Sequence, residues 1–173
     1  MTLHYEIRKA ELDEVKDVVK FIDSTFTVEG YGFVTSAQIK TEIRRRAVWI
    51  AVTNDKIIGV RVGISRVYNL AVDKEFRGVG VGKALIKIHD PDFIRVKATP
   101  VGNMSKKQKE EFTNPKPFYE KIGFRFLRFD FARNFWAGEK KVDGKTKRIL
   151  VSQGEKKHIE IYENIDPKQL KLF

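Results

Sequence analysis

The sequence feature that most constrains the fold is a glycine-rich turn between an apolar strand and a helix. Gly78, Gly80 and Gly82 alternate with valines and follow the apolar stretch of residues 67–72. Glycine has no Cβ atom, so the backbone of such a turn can approach a ligand closely. The first N–H groups of the following helix lack helical partners, and the helix dipole is positive there. The turn therefore predicts a binding place for a pyrophosphate group.

Two common nucleotide-binding motifs do not fit this turn. A Walker loop requires a serine or threonine after Gly82-Lys83, but Ala84 stands there, so the hydroxyl that binds magnesium is missing. A dinucleotide fingerprint requires Gly-x-Gly-x-x-Gly, whereas the glycines here occur at every second position. Two interpretations of the turn remain open. It binds a phosphate, with Arg77 and Lys83 adding positive charge, or its glycines serve the steric needs of a strand–helix junction.

The hydrophobic pattern alternates between strand and helix along the chain and predicts an α/β (α+β) fold around a mixed sheet. Strands are predicted near residues 3–7, 47–53, 56–64, 67–72 and 93–98. Helices are predicted over residues 11–24 and 36–46, from the glycine turn to Pro91, around the lysines at 106–109, and over residues 118–122 before Gly123. Residues 24–35 are expected to form a loop.

The C-terminal third predicts further strands. Residues 124–135 are aromatic-rich and strand-like, and their inward parity changes between Phe126 and Leu127, which predicts a bulge. Asp143-Gly144 is a strong hairpin signal between residues 135–142 and 146–152. Residues 158–162 predict a last short strand.

Composition excludes several classes of protein. The 173 residues correspond to about one domain, and they include no cysteine, which excludes disulfides, thiolate metal sites and a cysteine nucleophile. Three isolated histidines make a zinc site unexpected, so we predict no metal. No apolar run is long enough for a membrane span, and the N-terminus does not resemble a signal peptide. We therefore expect a soluble, cytoplasmic protein with no membrane partner.

The net charge of +11 favours an anionic partner such as a phosphate-bearing cofactor, a nucleic acid or an acidic protein. The excess is spread along the chain with a mild C-terminal bias, because residues 124–173 contain twelve basic and seven acidic side chains. A solvated basic surface and a polyanion-binding face both remain open interpretations.

Three blocks carry a resemblance to the GCN5-related N-acetyltransferase (GNAT) superfamily. Arg77-Gly78-Val79-Gly80-Val81-Gly82 fits the acyl-CoA-binding pattern Gln/Arg-x-x-Gly-x-Gly/Ala. Residues 117–124, Pro-Phe-Tyr-Glu-Lys-Ile-Gly-Phe, resemble the family's Phe-Tyr-x-Lys-x-Gly-Phe segment. Ile7-Arg8-Lys9-Ala10, followed by Asp13, looks like its opening strand and helix. The resemblance implies a single-domain GNAT fold over residues 1–173, with a family-like core at about 5–132 and extra strands and a hairpin at 133–165.

The resemblance also implies an activity, the transfer of an acetyl group from acetyl-CoA directly to an amine. A mixed central sheet with splayed strands would bind the pantetheine arm along residues 70–72. The backbone N–H of Leu70 would stabilise the oxyanion, and Tyr119 would act as general acid. The implied catalytic residues are Tyr119, Leu70 and Asn69. The implied CoA-binding residues are Leu70, Ala71, Val72, Arg77, Gly78, Val79, Gly80, Val81, Gly82, Lys83, Asn114 and Tyr119.

The general base, the acceptor and the assembly stay open at this point. Many relatives have a glutamate where this chain has Asn69, and an amide cannot accept a proton at neutral pH. Tyr68, Glu29, Tyr31 and Asp73 are candidates for assisting deprotonation, whereas His89 is expected on the surface. An alternative function is a GNAT-fold module that binds a polyanion, or an acetyltransferase that acts on a nucleic acid or a protein bound to one. The chain is expected to be a monomer or a homodimer.

Overall fold

The computed structural model describes residues 3–26, 34–96, 115–130 and 135–152. The chain divides into two compact units, Met1–Pro91 (the first unit) and Asp92–Phe173 (the second unit). Each unit contains both strands and helices, which confirms the predicted α/β class. Of the helices in the described residues, none combines the length and apolarity that a membrane span requires.

An antiparallel sheet forms the centre of the first unit. Its strands are β1 (Glu6–Lys9), β2 (Val48–Thr53), β3 (Lys56–Val62) and β5 (Asn69–Val72), in the order β1-β2-β3-β5, and a two-residue strand β4 (Arg66–Val67) precedes β5. The turn between β2 and β3 contains Asn54 and Asp55, both with positive φ, as their turn-forming character predicts. The prediction of one strand over residues 67–72 is wrong, because the strand is interrupted at Tyr68.

Helices cover both faces of this sheet. A 3₁₀ turn (Leu12–Glu14) leads into α1 (Val15–Phe26), and α2 (Ser36–Arg44) begins with a capping box between Thr35 and Gln38. Together α1 and α2 bury one apolar face of β2 and β3, whereas α3 (Val81–Lys87) packs on the opposite face. Burial of apolar side chains on both faces is the main stabilising contribution.

Close packing of α3 on the sheet depends on Gly59 in β3. A Cβ atom at this position would lie 2.9 Å from Leu85 Cδ1 and 3.0 Å from Val81 Cγ1. Any larger residue would therefore push α3 away from the strand. The helix ends at Lys87 and not at Pro91 as predicted.

The second unit forms a sheet around the predicted hairpin. Its strands are β6 (Phe93–Val96), β7 (Arg125–Asp130), β8 (Phe135–Val142) and β9 (Lys145–Ser152), and they lie in the order β6-β9-β8-β7. The hairpin turn is formed by Asp143 and Gly144, both with positive φ, which confirms the prediction. The hairpin lies between β6 and β7, so it is an integral part of the sheet.

Two further details of the second unit confirm sequence predictions. The register of β7 against β8 shifts between Phe126 and Arg128, which is the predicted bulge. The short helix α4 (Lys116–Lys121) is followed by Gly123 with a φ of 104°, the left-handed conformation that ends helices. The predicted helix around residues 106–109 and the strand at 158–162 lie outside the described residues, as do Asn114, Glu29 and Tyr31.

Candidate functional site

The glycine turn follows β5 and a 3₁₀ turn (Lys74–Phe76) and has a backbone that only glycine adopts readily. Gly78 has a φ of 80° and Gly80 a φ of 96°. A Cβ atom added at either residue would meet no atom of the described residues within 4 Å. The packing of the protein therefore does not explain the missing side chains, and the open space above both glycines can admit a ligand.

Backbone amides line this space. The first N–H with a helical partner in α3 is that of Ala84, which donates to the Gly80 oxygen at 2.9 Å. The amides of residues 80–83 precede this first helical bond and are donors for an anion. Val79 and Lys83 are exposed at the turn, whereas the side chains of Val81 and Leu85 anchor the helix in the core.

The outer edge of β5 faces away from β3. Asp73 N–H donates to the Ile58 oxygen at 2.9 Å, and the antiparallel register pairs Ala71 with Val60. Since backbone groups alternate in direction along a strand, Asn69 and Ala71 bond toward β3, and the N–H and C=O groups of Leu70 and Val72 point to the other side. This is the direction required for Leu70 and Val72 to pair with an extended ligand.

Arg77 folds back over the end of β5. Its Nε donates to the Val72 oxygen at 3.0 Å, which identifies that carbonyl as an outward group. The guanidinium thus fixes the turn to the strand, and the Val72 carbonyl already accepts a hydrogen bond from the chain itself. Within the described residues, the N–H and C=O of Leu70 and the N–H of Val72 remain for a ligand on this edge.

A buried arginine that the sequence analysis missed holds the far end of α3. Arg61 in β3 is fully buried and donates to carbonyls of five residues at 2.6–3.1 Å, which are Gly63, Ile64, Leu85, Ile86 and His89. Its guanidinium also lies 5.1 Å from the centroid of the Trp49 ring. A cation that binds the last carbonyls of a helix is favourable because the dipole is negative there.

Burial lowers the pKa of Arg61 to about 10, and the negative charge of Asp90 partly opposes this shift. The guanidinium is therefore still charged at neutral pH. It bonds carbonyls at the end of α3 to the turn after β3. The one signal in the sequence was a single arginine that interrupts the apolar residues 57–64.

Asp73, a candidate for assisting deprotonation, is held in an ion pair. Its carboxylate lies 2.9 Å from Lys56 Nζ and accepts a bond from Glu75 N–H. Partial burial alone would raise the pKa of Asp73, but Lys56, the Glu75 amide and Arg77 together lower it below its ordinary value. A carboxylate with a lowered pKa is a weak base, so Asp73 is poorly suited to accept a proton from an amine.

The other candidates in the first unit are less enclosed. Asn69 is half-buried and pairs with Val62 at the start of β5. Tyr68 is exposed, and the Arg66 guanidinium lies 5.5 Å from the centroid of its ring. His89 is exposed as predicted, and only its carbonyl takes part in the Arg61 cluster.

Tyr119 belongs to α4 of the second unit and is buried. Its ring makes edge contacts with Phe118 and Phe124 at centroid distances of 4.9 and 6.1 Å. Burial raises the pKa of the Tyr119 phenol well above its ordinary value, so the hydroxyl stays protonated at neutral pH. Such a phenol can donate a hydrogen bond and does not act as an anion, although the raised pKa makes it a weaker acid than an exposed tyrosine.

The chain is similar to several solved structures at low identity. An acetyltransferase of the GNAT family from Staphylococcus aureus Mu50 is 17% identical over 72% of this chain and 86% of its own, with a TM-score of 0.47. The PaiA N-acetyltransferase from Thermoplasma acidophilum, in complex with coenzyme A, is 14% identical over 87% of this chain and 99% of its own, with a TM-score of 0.44.

The loading GNATL domain of CurA from Lyngbya majuscula is 14% identical over 50% of this chain, with a TM-score of 0.42, and the match spans 56% of that domain. No curated protein matches the chain. Residues 44–126 match the family model described as an acetyltransferase (GNAT) domain, and this segment contains β5, the glycine turn, α3 and α4. Residues 44–126, just under half of the chain, are therefore similar to a GNAT domain, in agreement with the resemblance of the glycine turn and of the segment around Tyr119.

Proposed function

We propose that this protein is an acetyl-CoA-dependent N-acetyltransferase that transfers the acetyl group directly to an amine. The observation that carries this proposal is the turn at Gly78 and Gly80. Both glycines are left-handed, no described atom lies within 4 Å of the place a Cβ atom would take at either, and they follow β5 after a single 3₁₀ turn. This combination suits a ligand with a pyrophosphate at one end and an extended amide-containing arm at the other.

The residues present fit such a cofactor. Amides of residues 78–83 would bind the pyrophosphate, and Lys83 would add a cation beside them. Leu70 and the N–H of Val72 would pair with the amides of the pantetheine arm as an added strand does. Because Arg77 occupies the Val72 carbonyl, we assign Arg77 the role of fixing the turn to the strand.

When bound, acetyl-CoA supplies an acyl group that is activated as a thioester. The Leu70 N–H would donate to the carbonyl oxygen as negative charge develops on it, and one such donor contributes about 3–4 kcal/mol to catalysis. The protonated phenol of Tyr119 would give its proton to the departing sulfur. Asn69 would orient the amine or a water molecule, since an amide does not accept a proton at neutral pH.

The test of the cofactor is calorimetric titration with acetyl-CoA and with S-acetylpantetheine, which lacks the pyrophosphate and adenosine. We expect acetyl-CoA to bind at least about a hundredfold more tightly, because the shorter compound has nothing to place on the glycine turn. No heat of binding with millimolar acetyl-CoA would contradict the proposal.

The test of the reaction is release of the CoA thiol in the presence of a panel of primary amines. Acetyl-, propionyl- and butyryl-CoA are compared at equal concentration. We expect thiol release that depends on the amine and is fastest with the acetyl donor. Binding of acetyl-CoA without turnover on any amine would support the alternative function, a GNAT-fold module that binds a polyanion and does not catalyse acetyl transfer.

A further inference from the structure

The sheet of the second unit has two unlike faces. On one face, Ile94, Ile149 and Val151 are buried, and Lys116 of α4 lies 4.5 Å from the centroid of the Trp136 ring. The alternate residues of the same strands form the other face, where charged side chains replace most of the apolar ones.

Four exposed cations from four neighbouring strands lie on this second face. Register places Arg125 and Arg148 on either side of Glu139, and it pairs Lys141 with Thr146. Arg95 in β6 is paired with Leu150, which lies two residues after Arg148 in β9. We call this set the basic face, and its members are Arg95, Arg125, Lys141 and Arg148.

The basic face is not neutralised by the described part of the chain. None of its four cations lies within ion-pair distance of a described carboxylate, although Glu139 and Asp130 are on the same side of the sheet. Cations elsewhere in the unit behave differently, since Lys147 contacts Asp92 at 2.8 Å and Lys116 contacts Glu120 at 3.0 Å. Glu139, between Arg125 and Arg148, offsets only part of the charge of the four cations, so an anionic partner would relieve the remaining repulsion.

We propose that the basic face binds single-stranded nucleic acid through its phosphates. Neighbouring strands are about 4.8 Å apart and diagonal neighbours about 7–8 Å, so the cations present several phosphate-binding positions on one surface. Three of the four are arginines, whose planar guanidinium binds phosphate with two hydrogen bonds.

The same face also provides surfaces for bases. Phe135 and Leu150 are half-buried there, and the Arg95 guanidinium lies 5.3 Å from the centroid of the Phe135 ring. Unpaired bases stack on aromatic rings and on arginine planes, and a sheet is a common platform for this. An acidic peptide would use the cations alone, and for this reason we favour nucleic acid over an acidic protein.

The test is fluorescence anisotropy of the full chain with a labelled single-stranded RNA of mixed sequence, at several salt concentrations. Four phosphate contacts predict a slope of about −3 in a plot of log affinity against log salt. The face variant changes Arg95, Arg125, Lys141 and Arg148 to Gln. A control variant makes the same charge change in the first unit, at the exposed residues Lys16, Lys20, Lys40 and Arg44.

We expect the face variant to bind at least about tenfold more weakly with a much shallower salt slope, and the control to keep both values. Equal losses in the two variants would mean that only net charge matters and would overturn the proposal. Unchanged binding by the face variant would also overturn it, and so would displacement of the RNA by polyglutamate at equal charge. Circular dichroism of each variant verifies that the fold is retained.

Discussion

The candidate site of the first unit consists of backbone groups, whereas that of the second unit consists of side chains. In the first unit the binding groups are backbone groups, the amides of residues 80–83 and the outer edge of β5. In the second unit the groups are side chains, the Tyr119 phenol and the cations of the basic face. A backbone site depends on the conformation of the chain, whereas a side-chain site depends on the chemistry of single residues.

This difference predicts how substitutions act. In the first unit, the damaging changes are those that move the backbone, and they need not touch the ligand. In the second unit, a change of one functional group can remove a role while the fold stays intact. The following predictions test this contrast.

The largest effect is expected for Arg61→Met, which keeps much of the side-chain volume but removes the donors to five carbonyls. Loss of one partner in a buried charged cluster costs about 3–5 kcal/mol in the free energy of unfolding, measurable by urea denaturation. Acetyl-CoA affinity should fall as well, because α3 is no longer held. Arg61→Lys keeps the charge with fewer donors and should lie in between. A loss below about 1 kcal/mol for Arg61→Met would contradict this account.

Tyr119→Phe is expected to act on turnover alone. The ring contacts with Phe118 and Phe124 are kept, and only the hydroxyl is lost. Removal of a general acid lowers rates by about 10²–10⁴, and we expect about 10² because a thiolate is a fair leaving group. Acetyl-CoA affinity should stay within a few fold of the original value. Unchanged single-turnover rates would show that Tyr119 only packs.

Lys83→Gln should have a smaller effect on acetyl-CoA affinity. The exposed ammonium near the glycine turn is one charge-assisted contact among several backbone donors, so we expect a loss of a few fold to about tenfold. Lys87→Gln is the matched control, because Lys87 is an exposed lysine at the other end of the same helix. Equal losses in both variants would indicate a long-range charge effect without a local contact.

The smallest effect concerns a surface ion pair in the first unit. The hydrogen bond from Arg8, at 2.7 Å, lowers the pKa of Glu14, and the Glu11 N–H contributes further. Because the folded-state pKa is depressed, the stabilisation is present above about pH 4.5 and is lost as pH falls through the folded pKa. Glu14→Gln should remove less than about 1 kcal/mol at pH 7 and should flatten stability below pH 4.5. Identical acid unfolding curves for both proteins would contradict the assignment.

The sequence predicts well those features that depend on neighbouring residues. The glycine turn, the Asp143-Gly144 hairpin and the bulge after Phe126 all arise from local backbone preferences, and the structure contains them. Arg61 could not be assigned in this way, because its acceptors Leu85 and Ile86 are more than twenty residues away. The ion pair of Asp73 with Lys56 is likewise a product of the fold.

The central claim is that the open space at the glycine turn is a binding place for acetyl-CoA, and one pair of variants tests it directly. Gly80 and Gly144 are both left-handed, with φ of 96° and 76°, and an added Cβ atom meets no described atom within 4 Å at either position. Gly80→Ala and Gly144→Ala should therefore impose a similar backbone strain of about 1–2 kcal/mol. Calorimetric titration with acetyl-CoA should show at least about a tenfold loss of affinity for Gly80→Ala and little change for Gly144→Ala. Equal affinities for both variants would contradict the account.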